Sequence, residues 1–260
     1  MTPNPVLQTL RSGGIAFGTM FLEIASPGTC QIARQSGYDF LILDTEHSWR
    51  GIETIAWLLR AARDIGLPAI VRAPAFQGQW LTRYLDLGAA GLVIPRVESG
   101  DEAKAIVDMI KYPPTGTRGL GNGIAHDDFA PPPAAEFVRW ANDNILLALQ
   151  IETAKGVANR EAILGTPGVD ALFIGPNDLA LSMGHPGELG HPEVVAAIDA
   201  TFQTAQALGV APGMHMFDVE GARRWVSRGV RFVCYSSDAG LIITNSRRDL
   251  DAIRRPEQES

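Results

Sequence analysis

A chain of 260 residues, 46% hydrophobic and 20% charged, has ample material for one sizeable core, and its length suits a single α/β barrel domain spanning residues 1–260. The formal net charge of −7, with no basic block, argues against nucleic acid or an anionic membrane surface as a partner. Two distant cysteines without a CxxC spacing, an N-terminal MTPNPVLQTLRSGG with no signal-type apolar core, and no apolar run of about 18 residues together predict a reduced cytoplasmic protein with no membrane span.

Short apolar runs alternate with helical periodicity along the chain. Strands are expected at 15–21, 40–44, 69–72, 91–95, 145–152, 171–175, 211–216 and 231–235. Helices are expected at 29–35, 52–65, 79–87, 101–110, after strand five to about 164, at 193–208, at 219–227 and within 239–255. Ser99 is a candidate N-cap, and Gly66, Gly88 and Gly209 close the helices before them. Eight strand–helix units predict a parallel (β/α)8 TIM barrel. The main interruption is the Gly- and Pro-rich stretch 111–133, read as a functional lid or a disordered loop. It follows a helix rather than a strand, so nothing guarantees its place over the barrel mouth.

The run FLILDTEH at 40–47 is the most informative. Its apolar start reads as a strand buried on both faces, and Asp44, Glu46 and His47 crowd its C-terminal end. The same end of the other strands offers Arg72, Gln150, Glu152, Asp178 and His215. In a barrel these ends meet at one mouth, where convergent charge is expected to bind something. Glu152 and Asp178, from neighbouring strands, suit a hard divalent cation such as Mg²⁺ or Mn²⁺, with Co²⁺ also compatible; the alternative is that each only caps a nearby helix. An imidazole has an ordinary pKa of about 6.5, so His47 is the candidate base, the alternative being a loop hydrogen bond. Arg72 either stabilises an enolate or clamps a carboxylate, or else pairs with Asp44 or Glu46. The turn Gly175, Pro176, Asn177, Asp178 offers N–H groups for a carboxylate, or is simply a tight βα turn.

Lysine occurs only at Lys104, Lys111 and Lys155, none on a strand, which disfavours imine chemistry. The glycines at 119, 121 and 123 follow no strand and carry no nucleotide signal. His126, Asp127 and Asp128 either meet substrate or belong to a solvated loop. His185 and His191 receive no role, and Cys234 reads as inert core.

The segments FLILDTEHSW, PAIVRAP, YLDLGAAGLVIPRVESGDEA, YPPTGTRG, LQIET and GVDALFIGPNDLALSMG, in this order over residues 14–200, resemble the HpcH/HpaI aldolase family. These are metal-dependent class II pyruvate aldolases, among them 4-hydroxy-2-oxoheptanedioate and 2-keto-3-deoxy sugar-acid aldolases. The resemblance implies a (β/α)8 barrel and reversible release of pyruvate from a 2-oxo acid, with an aldehyde as the other partner. By motif match His47 is the base and Arg72 stabilises the enolate. Asp86 is then the carboxylate that raises the histidine's basicity, from a neighbouring subunit. Glu152 and Asp178 hold the divalent metal, while Gln150 and the backbone of Gly175, Pro176 and Asn177 meet the substrate. A homohexamer with the last helix exchanged between subunits is also implied. The stretch IAHDDFAPPPAAEF departs from the family's Arg- and Ser-containing pattern, which leaves the aldehyde open, and hydroxypyruvate is open as a donor. Two competing readings are a citrate-lyase-β-like lyase of CoA thioesters and a catalytically silent sugar-acid-binding barrel.

Overall fold

The computed structural model describes residues 2–76 and 78–255. Eight parallel strands close a barrel in sequence order: β1 (Ala16–Phe21), β2 (Phe40–Asp44), β3 (Ala69–Arg72), β4 (Gly91–Ile94), β5 (Leu146–Ile151), β6 (Ala171–Ile174), β7 (Gly213–Met216) and β8 (Phe232–Ser237). Successive side chains of a strand face opposite ways, so each apolar run feeds two cores. Leu41 and Leu43 of β2 pack outward under the helices, while Phe40 and Ile42 pack inside the barrel. Phe40 stacks on Phe232 with ring centroids 4.7 Å apart. Gly18 makes that stack possible, because a Cβ there would run into the Phe40 ring.

Twelve helices surround the barrel among the described residues. The expected ones are α2 (Gly28–Gln35), α3 (Ile52–Asp64), α4 (Gly78–Asp86), α5 (Gly100–Ile110), α10 (Pro192–Ala207), α11 (Val219–Ser227) and α12 (Asp238–Arg254). The helix expected after strand five is two short ones, α7 (Ala154–Ala158) and α8 (Arg160–Leu164). Three others were not anticipated. α1 (Pro5–Arg11) is capped by the Asn4 side chain and drives Val6, Leu7 and Leu10 into the inner core, plugging the barrel floor. α6 (Ala134–Asn144) follows the 131–133 prolines, and α9 (Pro176–Ser182) starts at the IGPND turn.

The 111–133 stretch is ordered against the outside of α3 and α4. Arg63 of α3 forks onto Asp128 at 2.7 and 2.8 Å and donates to the His126 carbonyl. The segment therefore does not cover the mouth of its own barrel. Among the described residues no helix is long and apolar enough to cross a membrane.

Candidate active site

The alternation that lines the barrel with apolar side chains continues past the last of them. Phe40 and Ile42 are followed by Asp44, Ile70 by Arg72, Leu146 and Ala148 by Gln150 and Glu152, Phe173 by Gly175, and Ala211 by Gly213 and His215. All of these are C-terminal strand ends, so one mouth collects the polar groups. A cavity of about 170 Å³ opens there, with His47, Arg72, Gln150, Asn177, Asp178 and His215 in its lining.

Arg72 donates from Nε to Asp44 Oδ1 at 2.7 Å and from Nη2 to Oδ2 at 2.9 Å. Its Nη1 stands 3.4 Å from Glu46 Oε2. The ion pairs expected as the alternative role of Arg72 are thus present, and three of its five N–H bonds remain outside the Asp44 fork. Burial alone would raise the Asp44 pKa, but Arg72 and the N–H groups of Glu46 and His47 bring it below the ordinary value. Those two N–H bonds also shape the DTEH turn, which carries His47 to the rim. Its side chain is 59% exposed, with Nε2 3.9 Å from Glu46 Oε2.

Glu152 is 2% exposed. Its Oε1 accepts from the Arg96 N–H at 3.0 Å and its Oε2 from the Gln150 amide. Burial pushes its pKa up to about 7, against those hydrogen bonds and helped by the charges of Glu46 and Asp178. Burial likewise raises Glu46 despite Arg72. Gly175 is required beside this carboxylate, since a Cβ there would strike Glu152 and come within 2.8 Å of Gln150 Nε2. Asp178, in the first turn of α9, is half-exposed on the same rim. Buried Glu46 Oε2 and Gln150 Oε1 have no hydrogen-bond partner. Three carboxylates and an amide oxygen, two of these oxygens unpartnered, are an all-oxygen donor set that fits a hard divalent cation at Glu152 and Asp178.

No lysine reaches this mouth. Lys111 is buried elsewhere, donating to the Asn142 and Ile145 carbonyls, Lys155 pairs with Glu98, and Lys104 is exposed on α5. Asp86 is not brought to His47 within the chain. It ends α4 at the opposite face of the barrel, 2.7 Å from Arg118 Nη2 and 3.5 Å from His126 Nδ1. Burial would raise its pKa, but His126 and Arg118 hold it low. His126 itself is buried and stacked on Phe137, away from the mouth.

His185, His191 and Glu193 form a separate cluster whose ligand atoms lie within 4.8 Å of one another. His185 pairs with Glu193 at 3.2 Å, and His191 caps α10. The two rings stack face to face, centroids 3.5 Å apart, so their lone pairs run side by side instead of converging on one ion.

Three residues of the mouth were missed from the sequence. Arg96 has a left-handed backbone (φ 55°), which aims its N–H at Glu152 and sets its guanidinium 3.8 Å from Asp178. Asp238 accepts from the N–H groups of Leu22, Glu23 and Ile24, and buried Arg50 lies beside it at 3.6 Å while donating to the Phe21 and Ile24 carbonyls. Together they fix the loop after β1 as one wall of the mouth.

A closed parallel barrel with a lysine-free, carboxylate- and arginine-lined mouth defines the candidate site of a (β/α)8-barrel enzyme. The family model of HpcH/HpaI aldolase/citrate lyase matches residues 18–245, and the chain belongs to that family. It is 34% identical to a hydroxypyruvate/pyruvate aldolase of Pseudomonas aeruginosa over 94% of this chain and 90% of that one. It is 37% identical to a pyruvate aldolase of Rhizobium etli over 94% of each. Its structure superposes on an HpcH/HpaI aldolase from Desulfitobacterium hafniense with a TM-score of 0.91, at 32% identity, covering 97% of this chain and 98% of that one.

Proposed function

We propose that the protein is a metal-dependent aldolase, reversibly cleaving a 4-hydroxy-2-oxo acid to pyruvate, or hydroxypyruvate, and an aldehyde. The observation that carries this reading is the Glu152 cradle: a buried carboxylate of raised pKa beside Gly175, sharing one lysine-free mouth with Asp178, Arg72 and His47. A divalent cation (Mg²⁺, Mn²⁺ or Co²⁺) held by Glu152 and Asp178 would supply positive charge beside the oxygen that becomes negative. Gln150 and the free N–H groups of Asn177 and Asp178 receive the substrate carboxylate. His47 takes the proton of the C4 hydroxyl. The hydroxyl oxygen's electron pair forms the aldehyde carbonyl, the C3–C4 bond breaks, and its electrons enter a C2–C3 enolate. The N–H donors that Arg72 keeps outside the Asp44 fork stabilise the enolate oxygen. Return of a proton to C3 gives pyruvate.

The reading extends to the assembly. In one barrel domain over the whole chain, α12 buries only Asp238 and exposes Ile242, Ile243, Leu250 and Ile253. A homohexamer in which α12 packs on a neighbouring copy would cover this face, and Asp86 would then support the His47 of another subunit. The two buried free cysteines suit a reduced cytoplasmic setting.

The test is exchange of pyruvate methyl protons with deuterated water, followed by NMR, in chelated protein and with each cation added. Exchange that needs a cation and is lost in Glu152→Gln supports the reading. Absence of exchange under every cation overturns it.

A further inference from the structure

His215 is unused by the chemistry above, yet it lines the same cavity. It is the last inward residue of β7: Ala211 joins the inner core, while Met214 and Met216 pack outward. Its Nε2 lies 2.9 Å from the Ser236 carbonyl, and a carbonyl only accepts, so Nε2 carries the ring proton. Ser236 holds that carbonyl in place through a left-handed backbone (φ 57°). Burial pushes the His215 pKa down to about 4, so the ring is neutral near pH 7. Nδ1 is therefore a lone-pair acceptor, and among the described residues no protein group donates to it. The cavity wall carries the apolar side chains of Met20, Leu22, Phe173 and Phe217, whose ring centroid lies 4.5 Å from that of His215, together with polar groups such as Arg72, whose charge adds to the lowering of the His215 pKa.

A fixed acceptor has nothing to bind in pyruvate. Its carboxylate and carbonyl oxygens are themselves acceptors, and its methyl group donates nothing. A hydroxyl group is the complementary partner. Resting on the aldolase reading, we infer that His215 is a specificity-determining residue whose Nδ1 accepts a hydrogen bond from a substrate hydroxyl other than the one His47 deprotonates. That hydroxyl belongs either to C3 of a hydroxylated donor such as hydroxypyruvate or to a hydroxylated aldehyde.

The experiment compares wild type, His215→Leu and His215→Asn with Mg²⁺ or Mn²⁺ present. The donor arm measures C3 proton exchange of hydroxypyruvate against pyruvate. The acceptor arm measures aldol addition of pyruvate to glyceraldehyde against propanal. The readout is the ratio of kcat/KM values within each arm, which a general loss of activity or of folded protein leaves untouched. His215→Leu should lower one ratio by about tenfold or more, the scale of one lost hydrogen bond in a buried site. His215→Asn, which keeps an amide oxygen near the position of Nδ1, should recover part of it. A fall in the first ratio assigns the donor hydroxyl, and a fall in the second the aldehyde. Ratios unchanged in both arms overturn the inference. Wild-type protein that exchanges neither donor overturns the aldolase reading and the selection with it, and this is seen before any variant is compared.

Discussion

Asp44 and Arg72 are register partners on the neighbouring parallel strands β2 and β3, and two near-parallel hydrogen bonds of 2.7 and 2.9 Å join their side chains. Each is buried, so each is the other's counter-charge. Asp44→Ala leaves the buried guanidinium without its forked partner, with only Glu46 at 3.4 Å, and removes the acceptor for two N–H groups of the DTEH turn. A loss of about 3–5 kcal/mol in urea unfolding is expected. Arg72→Lys keeps the charge but cannot fork, so its stability loss should be smaller and its kcat should fall about 10²- to 10³-fold. Wild-type kcat in Arg72→Lys would show that the guanidinium geometry is not used.

Glu152 makes the metal-free protein sensitive to pH. Its pKa is raised from 4.5 to about 7 in the folded state, so the folded state holds that proton more tightly than the unfolded chain. The stabilisation is complete below pH 4.5 and is lost as pH rises through 7, a swing of about 3 kcal/mol. His215 acts in the other direction: its pKa falls from 6.5 to about 4, so protonation costs stability as pH drops below 6.5. Comparing wild type with Glu152→Gln cancels the His215 contribution. Between pH 5 and 8 the chelated wild type should lose stability relative to the variant. A divalent cation should reverse the trend, because it binds the ionised carboxylate. Parallel pH profiles for the two proteins, with and without cation, would remove Glu152 as a ligand.

The His47 side chain stands at the rim, and its part in the DTEH turn is played by its backbone N–H, so removing the imidazole should be chemically specific. His47→Ala is expected to unfold at the same urea concentration as wild type and to bind cation equally. Its rate of 4-hydroxy-2-oxo acid cleavage should fall about 10²- to 10⁴-fold. Loss of cation binding in this variant would instead make His47 a ligand.

The barrel was legible because buried parallel strands are nearly pure apolar runs, and the polar residues that end them can be read directly. Periodicity does not show what backbone geometry and distant contacts create. Arg96 serves the site through its backbone N–H, which a left-handed residue turns towards Glu152. Asp238 reaches across the closure of the barrel to the loop after β1, more than 200 positions away in sequence. α1 was missed because seven residues that open on Pro5 carry too short a period, and its burial comes from the open barrel floor beneath it. Asp86 drew attention only through the family motif; on α4 its neighbours are Arg118 and His126, at the face opposite the mouth.

Gly175 offers the most selective way to disturb the site. Its φ of −94° is ordinary for any residue, so alanine brings no backbone strain there. The added methyl would nevertheless strike the Glu152 carboxylate and crowd Gln150. Gly175→Ala should therefore fold with near-wild-type urea stability while its affinity for divalent cation drops about 10- to 100-fold, the loss typical of a displaced support beside a metal ligand. Titration with Mn²⁺, read by its electron-paramagnetic signal, measures this directly. Wild-type Mn²⁺ affinity in that variant would mean that Glu152 can move aside without consequence, and that the cation is held elsewhere on the rim.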